Sequence, residues 1–202
     1  MCFRIQYVPV CASAQARALV AVGLDTFDDI ICSPFRRCLQ TAGVVARELK
    51  IPNARIHIDK AFGEKMHSVR QLQKLVWGKQ RAADGQIAYL NESAQLEILT
   101  SQSGGVISKI HSQDGVHPAP DEEALAGTQR FVEQLHTVRD TYCCSGKRVL
   151  VVAHGDTVDG AVRAFTDETV YIAEECCWVA FSFAEGGEAT KLAANRLESM
   201  VM

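Results

Sequence analysis

Four consecutive apolar residues, Val149-Leu150-Val151-Val152, run into Ala153-His154-Gly155-Asp156-Thr157. A run of that length without polar alternation predicts a strand buried on both faces, as in a parallel sheet covered by helices. Val158, Ala161, Val162 and Phe165 follow at i, i+3, i+4 and i+7, the spacing of one helix face. His154 is thereby expected between a strand end and a helix N-terminus, at the rim where open α/β sheets keep their binding crevices.

A second junction of the same kind comes earlier. Asp29-Ile30-Ile31-Cys32 reads as a short buried strand, and Ser33-Pro34 as a helix start in which serine caps free amides and proline takes the first helical position. Phe35, Cys38, Leu39, Ala42, Val45, Ala46 and Leu49 then repeat at helical spacing. Arg36 and Arg37 fall about 100° apart around that axis, so only one of them can enter a given pocket. Both junctions suit an anion, because helix N-termini present unpaired amides and an arginine fork matches phosphate oxygens.

Elsewhere the pattern supplies the remaining layers. Phe3 to Val10 reads as an edge strand or extended arm, and Ala12 to Val22 as a helix stopped by Gly23. Arg55 to Asp59 alternates like a strand, and Val69 to Trp77 reads as a short helix. Residues 82–119 have poor periodicity and are expected to be an insertion covering one end of the sheet, with Gln95 to Thr100 and Val106 to His111 paired as a hairpin. Asp121 is placed to cap a long helix with a stripe of Leu125, Thr128, Phe131, Val132, Leu135 and Val138. Trp178 to Ala184 reads as a strand, and Gly186-Gly187 turns the chain into a terminal helix containing Leu192, Ala193 and Leu197.

At 202 residues with 48% hydrophobic and 22% charged content, the expected organisation is a single domain spanning 1–202. A formal charge of -3 gives no electrostatic reason to expect nucleic acid or an anionic membrane as partner. No apolar run has the length of a membrane span, and the first residues lack the layout of a secretory signal, so a cytoplasmic protein is expected. Eight cysteines without any C-x-x-C spacing are expected to be free and mostly buried rather than zinc ligands. His57 and His136 read as structural.

Ser33-Pro34-Phe35-Arg36-Arg37-Cys38-Leu39-Gln40-Thr41-Ala42 resembles the S-P-x-x-R-x-x-Q-T-A motif of the histidine phosphatase superfamily, which includes the phosphoglycerate mutases. In wording it is most similar to the branch of the ubiquitin-associated and SH3-containing phosphatases. Val151 to Asp156 resembles the second histidine motif of that superfamily, about 120 residues further on, and Ala12 to Leu19 the helix that precedes the first. The resemblance implies a three-layer α/β sandwich of phosphoglycerate mutase type, with a largely parallel sheet, helices on both faces and an inserted cap. It also implies phosphate chemistry with no metal and no cofactor, on a phosphorylated small molecule or phosphoprotein.

By motif, Arg37 is the expected phosphate-binding arginine, Ser33 lies beside it and His154 is the second, supporting histidine. The carboxyl acid of the family falls on Asp59, four residues before Gly63, with Glu64 as the alternative. The departure is at the beginning: no R-H-G precedes Ser33, and the first histidine of the chain is His57. The expected function is therefore a phosphatase-like domain with a residual phosphate pocket, catalytically impaired as written. The alternative is a phosphomonoesterase whose natural N-terminus is longer. No G-x-S-x-G or G-x-G-x-x-G occurs, which disfavours a serine hydrolase or a dinucleotide enzyme. An exposed edge at Trp178 to Phe183 would let two copies pair, so a homodimer is among the expected assemblies.

Overall fold

A computed structural model describes residues 7–51, 55–69 and 90–201. Its centre is β1 (Asp29–Cys32), with all four residues buried. It pairs in parallel with β2 (Arg55–Asp59) on one side and β4 (Val149–Val152) on the other, and β3 (Ser112–Asp114) joins β2, giving the order β3-β2-β1-β4. Successive strand residues face opposite sides. Accordingly Ile30 and Cys32 join one core with Ile56, Ile58, Leu39 and Leu99, while Ile31 joins another with Phe131, Leu135 and Ala161.

The first core is closed by α2 (Arg36–Glu48) and α3 (Glu92–Ser103), with α1 (Tyr7–Ala21) packed on α2 through Ala12, Ala16, Val44 and Val45. The second lies under α4 (Ala124–Thr141) and α5 (Gly155–Phe165). The domain is thus a three-layer α/β sandwich. No helix among the described residues is long and apolar enough to cross a membrane.

Several local expectations are corrected. Helix α1 already includes Tyr7 to Val10, where an extended arm was expected; Pro9 is tolerated in this first turn, whose amides lack intrahelical acceptors. Residues 1–6 lie outside the described residues, as do residues 70–77 of the expected Val69 to Trp77 helix; residues 66–69 are helical. Ser33 is not the N-cap of α2 and Pro34 precedes the helix: Phe35, which has no polar side-chain atom, holds the N-cap position, and the Ser33 hydroxyl lies 3.0 Å from His154 Nε2 and accepts from Phe35 N at 3.5 Å.

The expected hairpin between residues 95 and 111 does not form: its first half lies in α3, its second half is irregular, and the parallel strand β3 begins only at Ser112. Asn91 caps α3 by accepting from Ala94 N at 2.9 Å, and Gly104 ends it in the left-handed region at φ 63°. The glycines after Ser103 are a helix stop, not a hairpin turn. From residue 90 on, the expected cap is built into the domain, packing on α2 and extending the sheet by β3; residues 82–89 lie outside the described residues.

Helix α4 is capped at Glu123 rather than Asp121, and Leu125 is 85% exposed, so the buried stripe is Gly127, Phe131, Leu135 and Val138. Strand β4 is at the edge of the described sheet, with Val149 to Val151 half-buried and only Val152 buried. The expected terminal helix is a strand: β5 (Glu168–Phe183) and β6 (Ala189–Val201) form a separate antiparallel pair, in which Ala193 faces Ala180 and Leu197 faces Ala173. Phe181 and Phe183 pack their rings on Phe165 of α5, 5.4 and 4.9 Å between centroids. Of the seven described cysteines, all free, only Cys32 and Cys38 are buried.

Candidate active site

The site follows from the topology. Strands β1 and β4 are neighbours in register, Cys32 beside Val152, yet β1 continues into α2 over one face and β4 into α5 over the other. Connections that part in this way leave a crevice at the carboxyl ends of the strands. Ser33 and His154 are the residues at its floor, and Ser33 N donates to Val152 O at 2.9 Å to extend the pairing to the rim.

His154 is 5% exposed and occupies the N-cap position of α5. One ring nitrogen, Nε2, lies 3.0 Å from Ser33 Oγ; the other, Nδ1, lies 2.7 Å from Arg37 Nη2. A guanidinium only donates, so Nδ1 accepts and the ring proton sits on Nε2, donating to Ser33. Burial, reinforced by the nearby Arg37 and Arg130 charges, holds the imidazole well below its ordinary pKa, in keeping with a neutral ring. Phe35 braces the pair, its ring edge-on to His154 at 5.2 Å and 5.2 Å from the Arg37 guanidinium carbon. Both adjacent arginines are exposed, and it is Arg37 whose guanidinium reaches His154 and Glu64.

The two carboxylates named as acids are placed differently. Glu64 Oε2 is 2.5 Å from Arg37 Nη2 and 3.2 Å from His154 Nδ1. Burial raises its pKa, with Arg37 opposing the shift. Asp59 ends β2 with one oxygen accepting from Ala61 N at 2.9 Å and the other from Gln134 Nε2, and contacts neither Arg37 nor His154. Burial raises its pKa as well. Asp59 thus fastens the 3-10 turn Lys60–Phe62, which delivers Glu64 to the crevice.

Further participants are Arg130, Lys65 and Ser68, which carried no local sequence signal, and Cys38, which showed only as part of a helical stripe. Arg130 of α4 grips Glu122 with two nitrogens at 2.7 and 2.8 Å, and donates to Gly63 O at 3.0 Å and to Ala61 O, holding the segment before Glu64. Cys38 donates to Ala153 O at 3.2 Å, and burial pushes its thiol up to about 12, so it remains a protonated structural group beside His154. Lys65 lies 3.6 Å from Asp156 in the first turn of α5, and Ser68 donates to the same carboxylate at 3.3 Å. No group of three or more metal-ligating side chains exists among the described residues. What the site offers chemically is a cation, a neutral imidazole, a hydroxyl and a carboxyl at the ends of two helices.

No protein-family model matches the sequence, and a search of curated proteins finds no match. Among solved structures, the chain is similar to the ecdysone phosphate phosphatase from Bombix mori in complex with tungstate, with a TM-score of 0.54 and 19% identity. The match covers 78% of this chain and 54% of that one. The fold is phosphoglycerate mutase-like. Within a phosphoglycerate mutase-like domain, the crevice between β1 and β4 is a site at the strand ends of a parallel sheet, flanked by α2 and α5. This chain spans about half the length of the structure it resembles.

Proposed function

We propose that this domain recognises a phosphoryl group, on a small molecule or a phosphoprotein, in the crevice formed by Ser33, Arg37 and His154. The observation that carries the reading is the convergence of Arg37 Nη2 and His154 Nδ1, 2.7 Å apart, between two helix N-termini at the switch point of the sheet. A guanidinium supplies charge and a planar donor set, and the helix ends add aligned amides. The motif wording from Ser33 to Ala42 supports the histidine phosphatase reading, and supports the ubiquitin-associated and SH3-containing branch as its finer placing. The tungstate held by the structurally similar phosphatase is an oxyanion, which agrees with an oxyanion seat here.

Turnover through a phosphohistidine requires a nucleophilic imidazole in line with phosphorus. His154 has Nε2 turned to Ser33 and Nδ1 to Arg37, and it is the one histidine among the described residues in contact with Arg37. The domain is therefore read as a phosphate-binding, catalytically impaired phosphatase relative. Inorganic phosphate is expected to bind the full chain and to bind Arg37→Ala about tenfold or more weakly, measured by calorimetry. Hydrolysis of p-nitrophenyl phosphate is expected to remain at the level of His154→Ala. Arg37-independent binding would remove the reading.

One observation favours a second reading, a phosphomonoesterase. The Glu64 carboxyl, its pKa raised by burial, lies beside the pocket as a group able to protonate a leaving oxygen. Hydrolysis that collapses in both His154→Ala and Glu64→Gln would establish it.

A further inference from the structure

The only guanidinium touching His154 among the described residues is already engaged by a carboxylate of the same chain. Glu64 Oε2 lies 2.5 Å from Arg37 Nη2 and 3.2 Å from His154 Nδ1. One carboxylate oxygen therefore stands against the Arg37 guanidinium at the mouth of His154, the place an oxygen of a tetrahedral oxyanion held by Arg37 would take. The Glu64 side chain is 12% exposed against 49% for Arg37, so the carboxylate occupies the inner side of the pair.

Its position is enforced from behind. Lys65 N donates to Glu64 Oε1 at 3.2 Å, and Arg130 holds the carbonyls of Ala61 and Gly63. Asp156, held by Lys65 and Ser68, is a further negative charge near Glu64. With His154 neutral, the Arg37–Glu64 pair presents no net positive charge to an incoming dianion. A ligand phosphate approaching while Glu64 stays in place meets like charge at close range, which is repulsive in a partly buried site.

We propose that Glu64 is an internal competitor: its carboxylate occupies the oxyanion seat of the crevice, and phosphate binds only by displacing it. This rests on the reading of Ser33, Arg37 and His154 as a phosphate pocket. Displacement has to break the Arg37–Glu64 contact, so the same carboxyl serves as a gate to the seat.

The test is calorimetric titration of inorganic phosphate into the full chain at pH 7, with thermal melts confirming that each variant is folded. Both Glu64→Gln and Glu64→Ala are expected to bind phosphate about tenfold or more tightly than the unsubstituted chain, and Arg37→Ala in the Glu64→Gln background to abolish the gain. Equal affinities that still depend on Arg37 overturn the competitor and leave the pocket standing. Weaker binding in both folded Glu64 variants also overturns it, by making Glu64 a contributor to binding. Binding that is independent of Arg37 in every variant overturns the phosphate reading itself.

Discussion

At His154 a ring that would carry charge in acid is held neutral by its surroundings, and this has a signed effect on stability. An unfolded chain takes up a proton on this histidine near the ordinary value of 6.5, whereas the folded ring, depressed first by burial and then by Arg37 and Arg130, does not. Folded stability therefore falls as pH drops below about 6.5, by at most about 1.4 kcal/mol per pH unit from this group. Asp59 and Glu64 act with the opposite sign: burial raises their pKa values, so their contribution is present in acid and is lost as pH rises through the folded values. Urea midpoints from pH 7 to 5.5 are expected to fall more steeply for the unsubstituted chain than for His154→Asn; identical slopes would mean that His154 is protonated when folded. Ser33, Arg37 and His154 were legible in the sequence because each sits on a junction where a strand signal and a helix signal abut. Which of Asp59 and Glu64 lies beside Arg37 was not, since it turns on how the 3-10 turn after β2 redirects the chain. Arg130 reaches the site only through the packing of α4, which leaves no mark on local spacing, whereas Cys38 was visible as an apolar position of α2 but not as a neighbour of His154.

Among the elements, α2 and α3 approach each other at Gly43 with no room for a side chain. A Cβ there would lie 2.7 Å from the Gln102 Cβ and 3.1 Å from the Leu99 carbonyl oxygen. Gly→Ala within a helix ordinarily stabilises by up to about 1 kcal/mol. At Gly43 the sign is expected to reverse, with Gly43→Ala costing about 1–3 kcal/mol through overpacking, read as a lowered denaturation midpoint. A gain in stability would show that the helices can part without loss. The same pair explains a misreading. Helix α3 buries Gln95, Leu99 and Ser103, two of them polar, so its inward stripe lacks the apolar period that reveals a helix. Strand β6 misleads in the other direction: Leu192, Ala193, Ala194 and Arg196 are good helix formers, and only pairing with β5, through a turn at Gly186 and Gly187, overrides that preference. Strands β1 and β4 were legible as short local apolar runs, and β2 by its alternation.

On the scale of the molecule, the end of the sheet opposite the crevice is pinned by one carboxylate. Asp29, fully buried, accepts from Arg55 Nε and Nη2 at 2.9 and 2.8 Å and lies 2.8 Å from His57 Nε2, while Lys147 just before β4 lies 3.6 Å away. It joins the starts of β1, β2 and β4. Burial alone would raise its pKa, but the bonds from Arg55 and His57 outweigh it and the value is lowered. Its contribution is thus present above the ordinary 3.8 and is lost as pH falls through the folded value. Asp29→Asn is expected to cost about 2–4 kcal/mol at pH 7, with the difference from the unsubstituted chain shrinking in acid. A chemical denaturation series across pH measures both.

The crevice itself has a kinetic consequence. Ser33 and His154 meet across 121 residues of chain, and their contact requires β4 to have paired with β1. Closing so long a loop is an entropic cost met before the contact rewards it, and non-local pairings of this kind slow folding. The oxyanion seat therefore does not exist in any partly folded form that lacks the β1–β4 ladder. Anything that binds there discriminates the completed topology from its precursors, so the pocket doubles as a reporter of when the chain has finished folding.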